Sequence, residues 1–223
     1  MAERERGQSR GGTGTGARGE PGGGFGSAAL RSLGLLAIGV LLGCDGSSPT
    51  DPGGGGKCGP YPNQAASPYV LPYPPGEAYL VSQGNCSLGT HLLGTRDGHA
   101  YDFRMAIGST VVAARSGVVE ELEERFFDRN GVTEESNYVL VRHDDGTAAV
   151  YFHLTQDGVL VFLGMPVIQG QPIGRSGQTG RAGISPHLHF GVLGPGGLTI
   201  PVTFRNTSAH PDGLQEGVIY PAL

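Results

Sequence analysis

The sequence predicts a mainly β fold, an antiparallel β domain over residues 61–223, and three observations carry that prediction. Short runs rich in β-branched and aromatic residues recur between Gly, Asp and Asn breaks, at 78–82, 100–104, 110–114, 117–124, 138–143, 147–154, 159–162, 187–193 and 198–204. Asp145-Gly146 separates two of these runs, and Asp-Gly is a strong two-residue hairpin signal. No segment sustains the apolar period of a long helix, and no internal repeat is present.

The elements follow in order. Pro60, Pro62, Pro68, Pro72, Pro74 and Pro75 keep the entry to the domain extended, because each lacks a backbone N–H and fixes φ. The charged stretch 120–125 has too few apolar positions for a helix and continues the strand pattern from Val118. Residues 128–137 are polar and read as a loop. His143 precedes the hairpin turn and reads as an exposed strand end, Asp144 and Asp145 as a solvated turn, and His210 as a structural histidine in a polar tail.

Ahead of the domain the composition changes. Residues 1–43 combine a Gly/Arg/Glu-rich stretch that cannot build a core with a ten-residue apolar run, Leu33 to Leu42, preceded by Arg31. That run is too short to span a bilayer and has the length of a signal-peptide core. Leu41-Leu42-Gly43-Cys44 resembles the bacterial lipoprotein cleavage box, which implies that Cys44 becomes the lipidated first residue of an exported, membrane-anchored protein facing the periplasm or the cell exterior. Residues 44–60 are rich in Gly, Pro and Ser and read as a flexible tether. An oxidising compartment allows a disulfide between the two remaining cysteines, Cys58 and Cys86. The formal charge of −5 and the absence of a basic stripe argue against a nucleic-acid partner.

The chemistry gathers in four stretches. One is Gly98-His99-Ala100-Tyr101-Asp102-Phe103, with His91 upstream; a second is 107–119; a third runs from Asp145 to Tyr151-Phe152-His153-Leu154. The fourth is a glycine-rich approach, 170–183, that leads to His187-Leu188-His189-Phe190. Period 2 puts His187 and His189 on one strand face and Leu188 and Phe190 on the other. A set of His, Asp and His suits four-coordinate Zn2+ with one position left open, and two further imidazoles suit proton transfer.

These stretches resemble the lysostaphin/LytM-type zinc endopeptidases of bacterial peptidoglycan, in motif order and local context, over roughly residues 80–205. The resemblance implies an antiparallel β-sheet domain with its site in a groove between loops, a peptidoglycan peptide substrate and a zinc cofactor. It assigns Asp102 and His189 as zinc ligands and His153 and His187 as catalytic histidines. Non-catalytic relatives that bind wall or regulate another hydrolase typically lose such residues, and these four are present.

The first ligand departs from the pattern. The family motif is His-x-x-x-Asp, whereas His99 stands only three positions before Asp102. In an extended segment His99 therefore shares a face with Tyr101 and Phe103, opposite Asp102. His91 is ten intervening residues away, enough for a loop to return, and is the preferred metal ligand; His99 is the alternative, since a bulge before Asp102 would reverse the parity.

Overall fold

A computed structural model describes residues 58–223. The signal segment, Cys44 and the tether up to residue 57 lie outside the described residues. Among the described residues the chain forms ten strands of one antiparallel sheet and a single short 3-10 turn, Gln64–Ala66. No helix among them is long and apolar enough to cross a membrane.

In chain order the strands are β1 (Ala78–Gln83), β2 (Tyr101–Arg104), β3 (Thr110–Val112), β4 (Gly117–Glu123), β5 (Asn137–Arg142), β6 (Ala148–Val159), β7 (Pro166–Val167), β8 (Pro172–Ser176), β9 (Leu188–Leu193) and β10 (Ile219–Pro221). Across the sheet they lie in the order β10-β1-β2-β9-β6-β5-β4-β7, while β8 pairs with β6 and with β3. The Asp145-Gly146 turn closes the β5–β6 hairpin, with Arg142 opposite Ala148 and Gly146 at φ +81. That positive φ is what glycine supplies at little steric cost.

Alternation places the core. Tyr101, Phe103, Tyr151, Leu188 and Phe190 are fully buried on one face of β2, β6 and β9, and Tyr73 and Phe204 pack into the same cluster. Truncating one of these aromatics to Ala would cost about 3–5 kcal/mol. The proline-rich entry is interrupted by the 3-10 turn Gln64–Ala66 and is tied across the core, with Val70 N–H donating to Ala114 O at 2.9 Å and Val112 N–H to Pro72 O at 3.0 Å. Cys58, at the end of the stretch read as tether, is joined by a disulfide to Cys86.

Three expectations are corrected. His143 is not an exposed strand end but buried: it donates through Nδ1 to Ser116 O at 2.9 Å and meets the Tyr69 ring edge-on. Residues 198–204 form no strand. Thr199 bridges Leu193 and Ile200 N–H reaches Val192 O at 2.8 Å, but Pro201 has no N–H with which to continue the ladder. The run 159–162 is not separate: Val159 ends β6, and Leu160 and Phe162 are exposed. The asparates of the turn both reach Arg115, at 2.5 Å each, and remain largely solvated, as a turn should. His210 is structural, accepting Phe204 N–H at Nε2 (3.0 Å) and donating from Nδ1 to Ser208 O (2.7 Å).

Candidate metal centre

Pairing of β2 with β9 sets Asp102 directly opposite His189. Both project from the face away from the aromatic core, since their neighbours Tyr101, Phe103, Leu188 and Phe190 take the buried side. The Asp102 Oδ1 accepts from His189 Nδ1 at 3.0 Å and lies 3.4 Å from His91 Nε2. His91 comes from the loop between β1 and β2 and is fully buried, with Nε2 3.2 Å from His189 Nδ1. His91, Asp102 and His189 each bring one ligand atom to a common point, all within 4.8 Å of one another.

His99 is not brought there. It lies in the turn ahead of β2: its Nδ1 is 3.9 Å from Cys86 Sγ, its ring meets Tyr61 edge-on, and its backbone N–H donates to Thr199 Oγ1 at 2.8 Å. A register shift does occur beside Asp102, but in β1 between Val81 and Gln83, so β2 keeps its alternation.

His153 and His187 flank the cluster, their rings 4.7 Å apart between centroids, and His153 lies 6.0 Å from the His189 ring. Both line the groove that also takes in Arg96, Asp97, Ser136 and Phe152. A bulge in β6 aims His153. Tyr138 pairs with Phe152 and Asn137 with Leu154, which leaves His153 as the extra residue, and its φ is +63. Simple alternation would send Phe152 and His153 to opposite faces; the bulge lets both approach His189, Phe152 at 5.9 Å between centroids.

Carbonyl partners fix the tautomers. His91 donates from Nδ1 to Gly84 O at 3.0 Å, His153 from Nδ1 to Thr179 O at 2.8 Å, and His187 from Nδ1 to Ser185 O at 3.0 Å. Each of these rings keeps its Nε2 lone pair free for a cation or a proton. Burial, with the neighbouring His187 and His189, pushes His153 down to about 3. Burial opposes charge on His189 too, but the Asp102 and Asp97 carboxylates outweigh it and raise the ring. Burial would raise Asp102, yet the His189 and His91 imidazoles beside it hold it well below the usual carboxylate range. A buried carboxylate and two convergent imidazole nitrogens are the N,N,O donor set that Zn2+ takes in open sites, so these residues fit that ion.

Nothing in the local sequence marks the carbonyl partners or Asp97. They lie in loops, where period 2 carries no information, and three of the four act through backbone oxygen that any residue type supplies.

An antiparallel sheet whose groove holds a His–Asp–His cluster beside two free imidazoles has the arrangement of a mononuclear metallohydrolase. Residues 96–199 match the model of peptidase family M23, and the chain carries an M23 peptidase domain. The matched region takes in Asp102, His153, His187 and His189, with His91 just ahead of it. The chain is 36% identical over 92 residues to the peptidoglycan DD-endopeptidase ShyA of Vibrio cholerae, a match over 41% of this chain and 19% of that protein, so it spans about a fifth of that relative's length. Among solved structures it is similar to the catalytic domain of lysostaphin from Staphylococcus simulans (31% identity, 54% of this chain, 80% of that one, TM-score 0.37). It is also similar to a zinc-containing peptidase from Vibrio cholerae (25% identity, 56% and 37%, TM-score 0.38). The chain is thus homologous to peptidoglycan endopeptidases.

Proposed function

We propose that this protein is an exported zinc metalloendopeptidase that hydrolyses peptide bonds in bacterial cell-wall peptidoglycan, anchored to the membrane through a lipidated Cys44. The observation that carries the reading is the convergence of His91 Nε2, Asp102 Oδ1 and His189 Nδ1 within 4.8 Å, beside two imidazoles with free Nε2 atoms.

In this reading His91, Asp102 and His189 hold the zinc, which supplies Lewis acidity at the scissile carbonyl. His153 and His187 divide the proton work. Nδ1 of each is occupied by a backbone carbonyl, so Nε2 is the working atom. One Nε2 takes a proton from the attacking water; the other, once protonated, stabilises the oxyanion or hands its proton to the leaving amine as the C–N bond breaks. His187 Nε2 lies 3.6 Å from Asp102 Oδ2, at the edge of the ligand cluster. The peptidoglycan substrate is carried over from the relatives. The anchor rests on the sequence around Cys44 alone.

Digestion of purified peptidoglycan, with and without a chelator, tests the activity. Metal-replete protein should release peptides whose masses mark a cut cross-link, and chelator should stop the release. Metal-replete protein that binds the wall and leaves its cross-links intact would replace this reading with that of a non-catalytic wall-binding relative.

A further inference from the structure

Four imidazoles surround the candidate centre, and three of them have their outer nitrogen pinned by a backbone carbonyl. The fourth, His189, turns Nδ1 inward to Asp102 and His91, so Nε2 must carry the ring proton when Nδ1 is a ligand. No carbonyl meets that Nε2 among the described residues. The group that faces it is Asp97, whose Oδ1 lies 3.6 Å away. That oxygen is buried and has no hydrogen-bond partner among the described residues. A buried carboxylate oxygen without a donor is costly, so its placement next to a ring nitrogen that needs an acceptor calls for an explanation.

We propose that Asp97 is the positioning residue for His189: it accepts the Nε2 proton, fixes the ring tautomer and so presents Nδ1 to the metal. This rests on the metal reading above. Asp97 is not itself a ligand, because it faces the opposite edge of the imidazole and is not one of the three residues whose ligand atoms converge. Its backbone is held firmly enough for the task. Asp97 O accepts Ala100 N–H at 2.9 Å, and the flanking residues are pinned to Thr199, through Arg96 O at 2.7 Å and His99 N–H at 2.8 Å. Gly98 lets this turn close, since a Cβ there would stand 2.9 Å from Leu92 O. Carboxylate partners of metal-bound imidazoles act in this way, raising ligand basicity and fixing ring orientation.

Zinc affinity, measured by competition with a chromophoric chelator, tests the assignment without any substrate. Asp97→Ala should weaken zinc binding by about 10–100-fold, with the circular dichroism of the metal-free protein unchanged. A second measurement needs no variant: in imidazole 15N NMR of the zinc-loaded wild-type protein, His189 should carry its proton on Nε2, in slow exchange. An Asp97→Ala protein that binds zinc as tightly as wild type overturns the assignment, as does a His189 protonated at Nδ1. Wild-type protein that takes up no zinc removes both this assignment and the metal reading beneath it, which separates the two failures.

Discussion

His91 Nε2 stands 3.2 Å from His189 Nδ1, although 98 residues of chain separate them. With Asp102 Oδ1 they make one convergent set of three ligand atoms, the arrangement a shared cation takes. His91→Ala should therefore remove zinc and activity together, whereas His99→Ala should keep the metal and lose only stability, because its ring packs against Tyr61 and Cys86. Metal content of the two purified variants checks this. Zinc lost from His99→Ala and kept in His91→Ala would reverse the assignment.

His153→Ala and His187→Ala should each retain zinc and lose turnover by about 10²–10⁴-fold, the usual worth of a general acid–base group. The readouts are zinc stoichiometry and the rate of peptide release. A variant that loses its metal would move that histidine into the ligand set.

The Cys58–Cys86 disulfide links residues 28 apart in sequence, and Cys86 lies on the loop that carries His91. Loop-closure entropy over that span corresponds to about 3.5 kcal/mol. Cys58→Ser should lower the denaturation midpoint accordingly and weaken zinc binding, by loosening the segment between Gly84 and His91. Equal midpoints with and without reductant would contradict it.

The metal-free protein should lose stability as pH falls below about 6.5. Burial keeps His99, His143 and His210 below the ordinary imidazole range, and burial with the neighbouring His187 and His189 keeps His153 at about 3. A depressed folded pKa means that the unfolded chain binds the proton first, so the stabilisation is present above the unfolded value and lost beneath it. His189 works the other way: its raised pKa contributes stability at low pH that is lost as pH rises through about 9. Four groups against one set the expected sign. Denaturant midpoints between about pH 7.5 and 5 measure it, and His143→Gln should flatten the slope; a midpoint that rises on acidification would contradict it.

Much of this architecture is legible in the sequence. The runs in β1, β2, β5, β6 and β9 are dense in Val, Leu, Tyr and Phe, and their alternation sets both the aromatic core and the outward face of Asp102 and His189. Strand β8 was hidden, since Pro172 and Gly174 read as loop residues and only pairing with β3 and β6 makes them a strand. The lone Asp97 was equally silent, because its meaning depends on a ring nitrogen 92 positions downstream.

The bulge at His153 was hidden for a related reason, as it arises from register against β5 and not from the local residues. Its consequence is a conflict between folding and turnover at one position. A left-handed backbone costs an L-residue about 1–2 kcal/mol, and His153 sits there at φ +63. Asparagine tolerates that region better. His153→Asn should therefore give a domain that withstands more denaturant than His153→Ala, and that cuts no better: selection for thermal robustness alone would erode the imidazole on which hydrolysis depends.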